Sequence, residues 1–140
     1  MLAAAGCGEP EYLDVERVLD KTEAELETAF GKPDDWSAKD DRTNLLQWKD
    51  IDGDSTRVVV ITRDSLSCYV TYSFKGMEPF DQKKALEKVG ISWPKEEPQH
   101  EWANGSKRWM PYGEYERLVI GHGEKAVTVA LEAPFSISGR

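Results

Sequence analysis

An α+β fold is predicted: two tandem units, each a helix followed by a three-stranded antiparallel meander, forming one sheet with both helices on one face. Three observations predict it. First, the chain echoes itself at a spacing of about sixty residues, a signal that sets architecture before any local reading. Thr22–Tyr72 is answered by Asp81–Val129: Pro33 by Pro94, Trp48 by Trp109, Arg57-Val58-Val59-Val60 by Arg117-Leu118-Val119-Ile120, and Val70-Thr71 by Val127-Thr128. Second, each copy opens with a helix N-cap residue (Thr22, Asp81) and reaches a glycine (Gly31, Gly90) after the same interval. Third, Leu66–Phe74 alternates polar and apolar residues, the period of a strand with one wet face.

The elements follow in order. Thr22-Glu23-Ala24-Glu25 is a capping box, in which the threonine oxygen takes the Glu25 amide and the glutamate returns to the Thr22 amide. Leu26, Ala29 and Phe30 share one helical face, Gly31 supplies the left-handed C-terminal position and Pro33 stops the helix. Val15, Val18 and Leu19 keep helical spacing with Leu26, but a break is expected near Asp20-Lys21. Residues 34–43 are acidic and polar and read as a loop. Strands follow at Leu45–Ile51, Arg57–Arg63 and Leu66–Phe74, with Asp52-Gly53 as a hairpin turn.

In the second copy, Asp81–Val89 is a short helix with Ala85, Leu86 and Val89 on its apolar face. Trp93–Gln99, rich in Pro and Glu, is a loop. Strands are expected near Lys107–Met110, Arg117–Gly121 and Ala126–Glu132, with Gly121-His122-Gly123 as the last hairpin turn. Neither half could bury enough surface alone, so the two join edge to edge. The organisation is thus a tether over 1–13, one domain over 14–132 (repeats at about 14–76 and 77–132), and a C-terminal tail over 133–140.

Composition bounds the function. With 140 residues, 39% apolar and 31% charged, the chain reads as one globular domain. Its net charge of −8 argues against a nucleic-acid partner, because phosphate binding needs a basic surface. Residues 1–54 carry 15 acidic and 6 basic side chains, against 11 and 12 in 55–140, so the charge is concentrated at one end. Two cysteines and two histidines exclude a dense disulfide framework and make a His/Cys metal site improbable.

No site chemistry stands out. Asp50, Asp52 and Asp54 alternate as a calcium loop begins, but the glycine and glutamate that complete such a loop are missing. His100 and His122 lack a triad constellation. Cys68 falls on the core-facing phase of its strand, where a thiol packs as a small hydrophobe. No phosphate loop, HExxH helix or serine elbow is present. No catalytic residue, metal or cofactor is expected, and the chain is read as not an enzyme.

The sheet faces are more informative. Trp48, Val58, Val60, Val70, Tyr72, Trp109, Leu118, Ile120, Val127 and Val129 are expected to face the helices. Gln47, Lys49, Arg57, Arg63, Tyr69, Thr71, Arg108, Met110, Arg117 and Thr128 would then line the open face. Arginine and tyrosine among small polar residues favour interaction surfaces, so Arg57, Tyr69, Arg108 and Arg117 are the expected partner-binding residues.

At the amino terminus, Ala3-Ala4-Ala5-Gly6-Cys7 resembles a bacterial lipobox, in which small residues let a peptidase grip the backbone beside a cysteine that is then acylated. Ala4 departs from the usual leucine. Six residues before Cys7 are too few for a working signal, so the sequence is expected to lack upstream residues or to start at a misplaced codon. Cys7 is the expected lipidation site, with Glu9-Pro10-Glu11 as a polar tether.

The run from Thr22 through Leu26 to Phe30-Gly31-Lys32-Pro33-Asp34 resembles the signature of small envelope lipoproteins of the SmpA/OmlA (BamE-like) family. The duplicated helix-then-sheet unit is similar to the beta-lactamase-inhibitor-protein fold. The second copy departs from the signature, since Gly90 and Pro94 are farther apart than Gly31 and Pro33. The resemblance implies a lipid-anchored protein of the bacterial cell envelope, facing the periplasm or exterior, that binds an envelope protein without catalysis. The alternative is a periplasmic small-ligand or inhibitor domain with a cleft between the repeats lined by Trp93, Trp102 and Trp109.

Overall fold

The computed structural model describes residues 14–49, 56–76, 81–113, 115–123 and 126–133. A 3-10 turn at Val15–Arg17 precedes helix α1 (Glu23–Phe30). Four strands follow: β1 (Asp35–Ala38), β2 (Thr43–Trp48), β3 (Arg57–Arg63) and β4 (Leu66–Lys75). Helix α2 (Gln82–Lys88) opens the second unit, then β5 (His100–Glu101), β6 (Lys107–Trp109), β7 (Arg117–Gly123) and β8 (Ala126–Glu132). All eight strands form one antiparallel sheet in the order β1-β2-β3-β4-β8-β7-β6-β5.

This architecture corrects the expected fold class. Among the described residues the molecule is dominated by its sheet, eight strands against two short helices, rather than a balanced α+β pair of three-stranded meanders. Each unit contains a fourth strand at the outer edge, in segments whose polarity reads as loop. Every residue of β1 and β5 is exposed, so neither carries the alternation that betrays a half-buried strand. The glycines at 121 and 123 extend β7, pairing with Thr128 and Ala126, instead of forming a turn. The Asp52-Gly53 turn and the Asp50, Asp52 and Asp54 positions lie outside the described residues.

The units meet through their last strands. β4 pairs with β8 from Tyr69↔Glu132 to Lys75↔Ala126, and this register exposes a pseudo-twofold relation perpendicular to the sheet. Val60 pairs with Val70 and Ile120 with Val129, so Val70 is answered by Val129 and not by Val127. The axis then passes through the Thr71↔Ala130 pair, which it maps onto itself. Trp48↔Val58 and Trp109↔Leu118 are equivalent under the same operation.

The two tryptophans anchor equivalent corners. Trp48 Nε1 donates to the Gly31 carbonyl at 2.8 Å, and Trp109 Nε1 donates to the Glu96 carbonyl at 2.9 Å. Each ring also meets another aromatic: Phe30 at 5.2 Å, tilted, and Trp93 at 5.7 Å, edge-on. A buried indole needs its N–H satisfied, so each corner fixes the chain leaving its helix against the sheet.

All ten residues assigned to the helix-facing side are buried, joined by Leu26, Ala85 and Leu86 from the helices and by Val89 just past α2. The capping box forms, with Thr22 N donating to Glu25 Oε1 at 2.9 Å and Glu25 N donating to Thr22 Oγ1 at 3.2 Å. Asp81 makes no side-chain cap hydrogen bond to α2. The helical path breaks before Thr22, where Asp20 takes a φ of 63°.

The segment 14–21 straps the two units together. At one end Val15 N donates to the Val89 carbonyl at 3.0 Å, and Gly90 passes tightly under Asp14. Gly90 has a φ of +81°, and a Cβ there would lie 3.0 Å from Asp14 Oδ1, so this crossing requires glycine. At the other end Ser67 receives the strap. Its Oγ donates to the Val18 carbonyl at 2.5 Å and accepts from Lys21 N at 2.9 Å, while its backbone exchanges bonds with Asp20 and Lys21.

Ser67 is fully buried because β4 is bulged. Ile61 faces Tyr69 but Thr62 faces Ser67, so Cys68 is the extra residue. The simple alternation read along Leu66–Phe74 therefore fails at its start: Leu66 and Cys68 turn away from the core and Ser67 turns in. Ser67→Ala leaves a buried carbonyl and a backbone amide unpaired, and should cost about 2 kcal/mol in denaturant unfolding. Ser73→Ala, on the open face of the same strand, should stay within about 0.5 kcal/mol.

Candidate functional site: the open sheet face

Across the sheet from the helices, the ladder aligns half-buried apolar residues in the middle of the face. Leu45, Ile61 and Tyr69 form one row with Glu132 and Arg117, and Gln47, Val59, Thr71, Ala130, Val119 and Arg108 form the next. Side chains at the centre are half-buried, alternating with the fully buried residues that face the helices.

Arg57, Tyr69, Arg108 and Arg117 all lie on this face, but the fold does not gather them into one cluster. Tyr69 and Arg117 flank Glu132 from opposite sides, and Arg117 Nη2 donates to Glu132 Oε1 at 2.5 Å. Arg108 lies opposite Val119, two residues along β7 from Arg117, with its guanidinium 5.8 Å from the Trp102 ring centre. Its Nε is buried without a hydrogen-bond partner among the described residues. Arg57 pairs with Ser73, four residues along β4 from Tyr69, or about 13 Å at strand rise. The pseudo-twofold places Arg57 as the mate of Arg117 at the opposite end of the face.

The bulge opens a hollow of about 340 Å³ at the seam between the units. Ile61, Arg63, Cys68 and Tyr69 of the first unit line it together with Arg117 and Glu132 of the second. Burial pushes the Cys68 thiol upward, opposed by the Arg63 guanidinium and reinforced by the Glu132 carboxylate. Cys68 Sγ lies 3.6 Å from the Ile61 carbonyl. The expectation that Cys68 packs in the core is therefore corrected: the extra residue in β4 brings its thiol to the open face. Sequence alternation alone could not have found this position, since the bulge is a backbone event.

Trp93, Trp102 and Trp109 do not line a common cleft. Trp109 is buried in the core, and Trp93 flanks a hollow of about 500 Å³ with Tyr112 and Tyr115, wholly within the second unit. Trp102 instead joins His100 at 4.5 Å beside Arg108. His100, expected in a loop, occupies edge strand β5 opposite Arg108. Among the described residues no group of His, Cys, Asp or Glu converges to hold a metal ion, and no helix is long and apolar enough to cross a membrane. Cys7 lies outside the described residues.

No family model, curated protein or solved structure matches the chain. In a Cys7→Ser background, the Cys68 alkylation rate should titrate above the ordinary thiol value. Arg63→Ala should move the midpoint higher still, because it removes the charge that favours thiolate, and Glu132→Gln should move it lower. Rates measured across alkaline pH check both directions.

Proposed function

We propose that this chain is a bacterial envelope lipoprotein, anchored through acylated Cys7, that acts as a non-catalytic protein-binding or assembly module through its open sheet face. The observation that carries the reading is the face itself. A half-buried apolar centre (Leu45, Val59, Ile61, Tyr69, Val119) is ringed by Arg57, Arg63, Arg108 and Arg117, with Trp102 and Met110 each 40% exposed at its border. Aromatic, methionine and arginine side chains around an apolar patch are the composition that protein interfaces favour. The compartment is supported by the Gly6-Cys7 sequence and by the resemblance carried on Thr22–Asp34.

The seam hollow favours a second reading, a small-ligand or inhibitor domain, because residues of both units line it. The two readings separate by where contact occurs. With a photo-crosslinking phenylalanine analogue at Val59, a discrete protein adduct should form in cells, and Arg117→Glu should reduce it by about tenfold. The same analogue at Glu27, on α1, should give none. Adducts from both positions, or from neither, would remove the open-face reading. A palmitate analogue should label the protein expressed from its upstream-extended gene and fail to label Cys7→Ala; absence of label from both would remove the anchor.

A further inference from the structure

We propose that the seam hollow is the anchor point of the open face, and that it seats a carboxylate side chain of an acidic protein partner against Arg63. The inference rests on reading that face as a protein-binding surface. It adds the partner's charge and the place where contact is strongest.

Charge on the face is one-sided. Its ladder positions carry Arg57, Arg63, Lys75, Arg108 and Arg117 against the carboxylates Asp35 and Glu132. Both carboxylates are already committed, Asp35 to Lys49 at 3.1 Å and Glu132 to Arg117. Arg57, Arg63 and Lys75 make no ion pair or side-chain hydrogen bond among the described residues. The uncompensated charge here is thus positive, on a chain whose net charge is −8. A second copy docked face to face would bring like charges together, and an extended polyanion such as a nucleic acid would also meet the acidic residues of 1–54. A protein whose acidic groups are confined to one patch complements the face locally without meeting that end of the chain.

Arg63 is the best placed of these cations. It lines the seam hollow and two adjoining ones, toward Asp40 and Arg42 on one side and toward Met110 and Glu116 on the other. Asp40 and Asp64 both feel the Arg63 charge, but Asp40 accepts from the Arg42 amide at 2.8 Å and Asp64 is held by the Arg42 guanidinium. Asp41 and Glu116 line the adjoining hollows without an ion pair to Arg63 among the described residues. Ile61 and Tyr69 supply apolar wall for a side-chain stem, which strengthens a charge-assisted hydrogen bond by excluding water. β7 and β8 pair without a register shift, so the bulge that brings Cys68 to this face has no mate in the β7–β8 ladder.

Cys68 makes the anchor measurable. In the Cys7→Ser protein, a short blocked peptide of alternating Glu and Leu should bind by fluorescence anisotropy, more weakly at higher salt, and should slow Cys68 alkylation. A Gln-Leu peptide should do neither. Arg63→Ala should weaken binding at least about tenfold and Arg57→Ala less than about threefold. Equal losses at the two arginines, or binding that leaves Cys68 unprotected, would spread the contact over the face and overturn the anchor. Protection by N-acetylglutamate as strong as by the peptide would make the hollow a small-ligand site, overturning the protein anchor. No peptide binding while Val59 still crosslinks would defeat this inference alone. Loss of the Val59 adduct would defeat the open-face reading beneath it.

Discussion

The antiparallel pairing of β4 with β8 is the interaction on which the remaining structure depends. Each unit on its own would end in an exposed strand edge, with its row of unpaired amides and carbonyls. Joining the two terminal strands satisfies both edges at once, from Tyr69↔Glu132 to Lys75↔Ala126. It also merges two small apolar surfaces into one core, in which Val70 and Tyr72 of one unit meet Val129 and Leu131 of the other. Neither short helix could cover such a surface alone; α1 buries Leu26, while α2 buries Ala85 and Leu86. The seam thus determines the core, the strap that crosses behind it and the open face in front.

The bulge at Cys68 acts on both sides of that seam. Behind the sheet it turns Ser67 inward, where the hydroxyl and backbone capture the segment leading into α1. In front it turns Cys68 outward and leaves room beside Arg63 and Tyr69. One inserted residue therefore couples the attachment of the strap to the shape of the surface. Arg117 and Glu132 close the same region from the second unit through their ion pair.

What was legible in the sequence was whatever depended on side-chain pattern. The capping box at Thr22 forms, and the residues assigned to the helix-facing side are buried. The open-face residues follow from the same alternation. What was hidden depended on backbone geometry or on exposure at both faces. β1 and β5 show no pattern because neither side of them is covered, so their segments read as loops and the sheet's share of the fold is hidden in the sequence. Nothing in Ser67-Cys68-Tyr69 marks an added residue, so the phase error there followed directly. The candidate site was legible as a face but not as a hollow, since a list of outward residues carries no distances along strands; Arg57 and Arg117 share the face but lie at its opposite ends.

The pseudo-twofold through Thr71 and Ala130 resembles the interface of a homodimer, except that one continuous chain supplies both halves. In a dimer of identical half-length chains, any substitution or insertion would appear on both sides of the axis. A bulge would come in two copies, and so would every hollow. Fusion lifts that constraint. Each half is encoded separately, so a scaffold whose stability derives from symmetry can carry a surface that is not symmetric, and the two ends of its face can diverge without disturbing the seam between them.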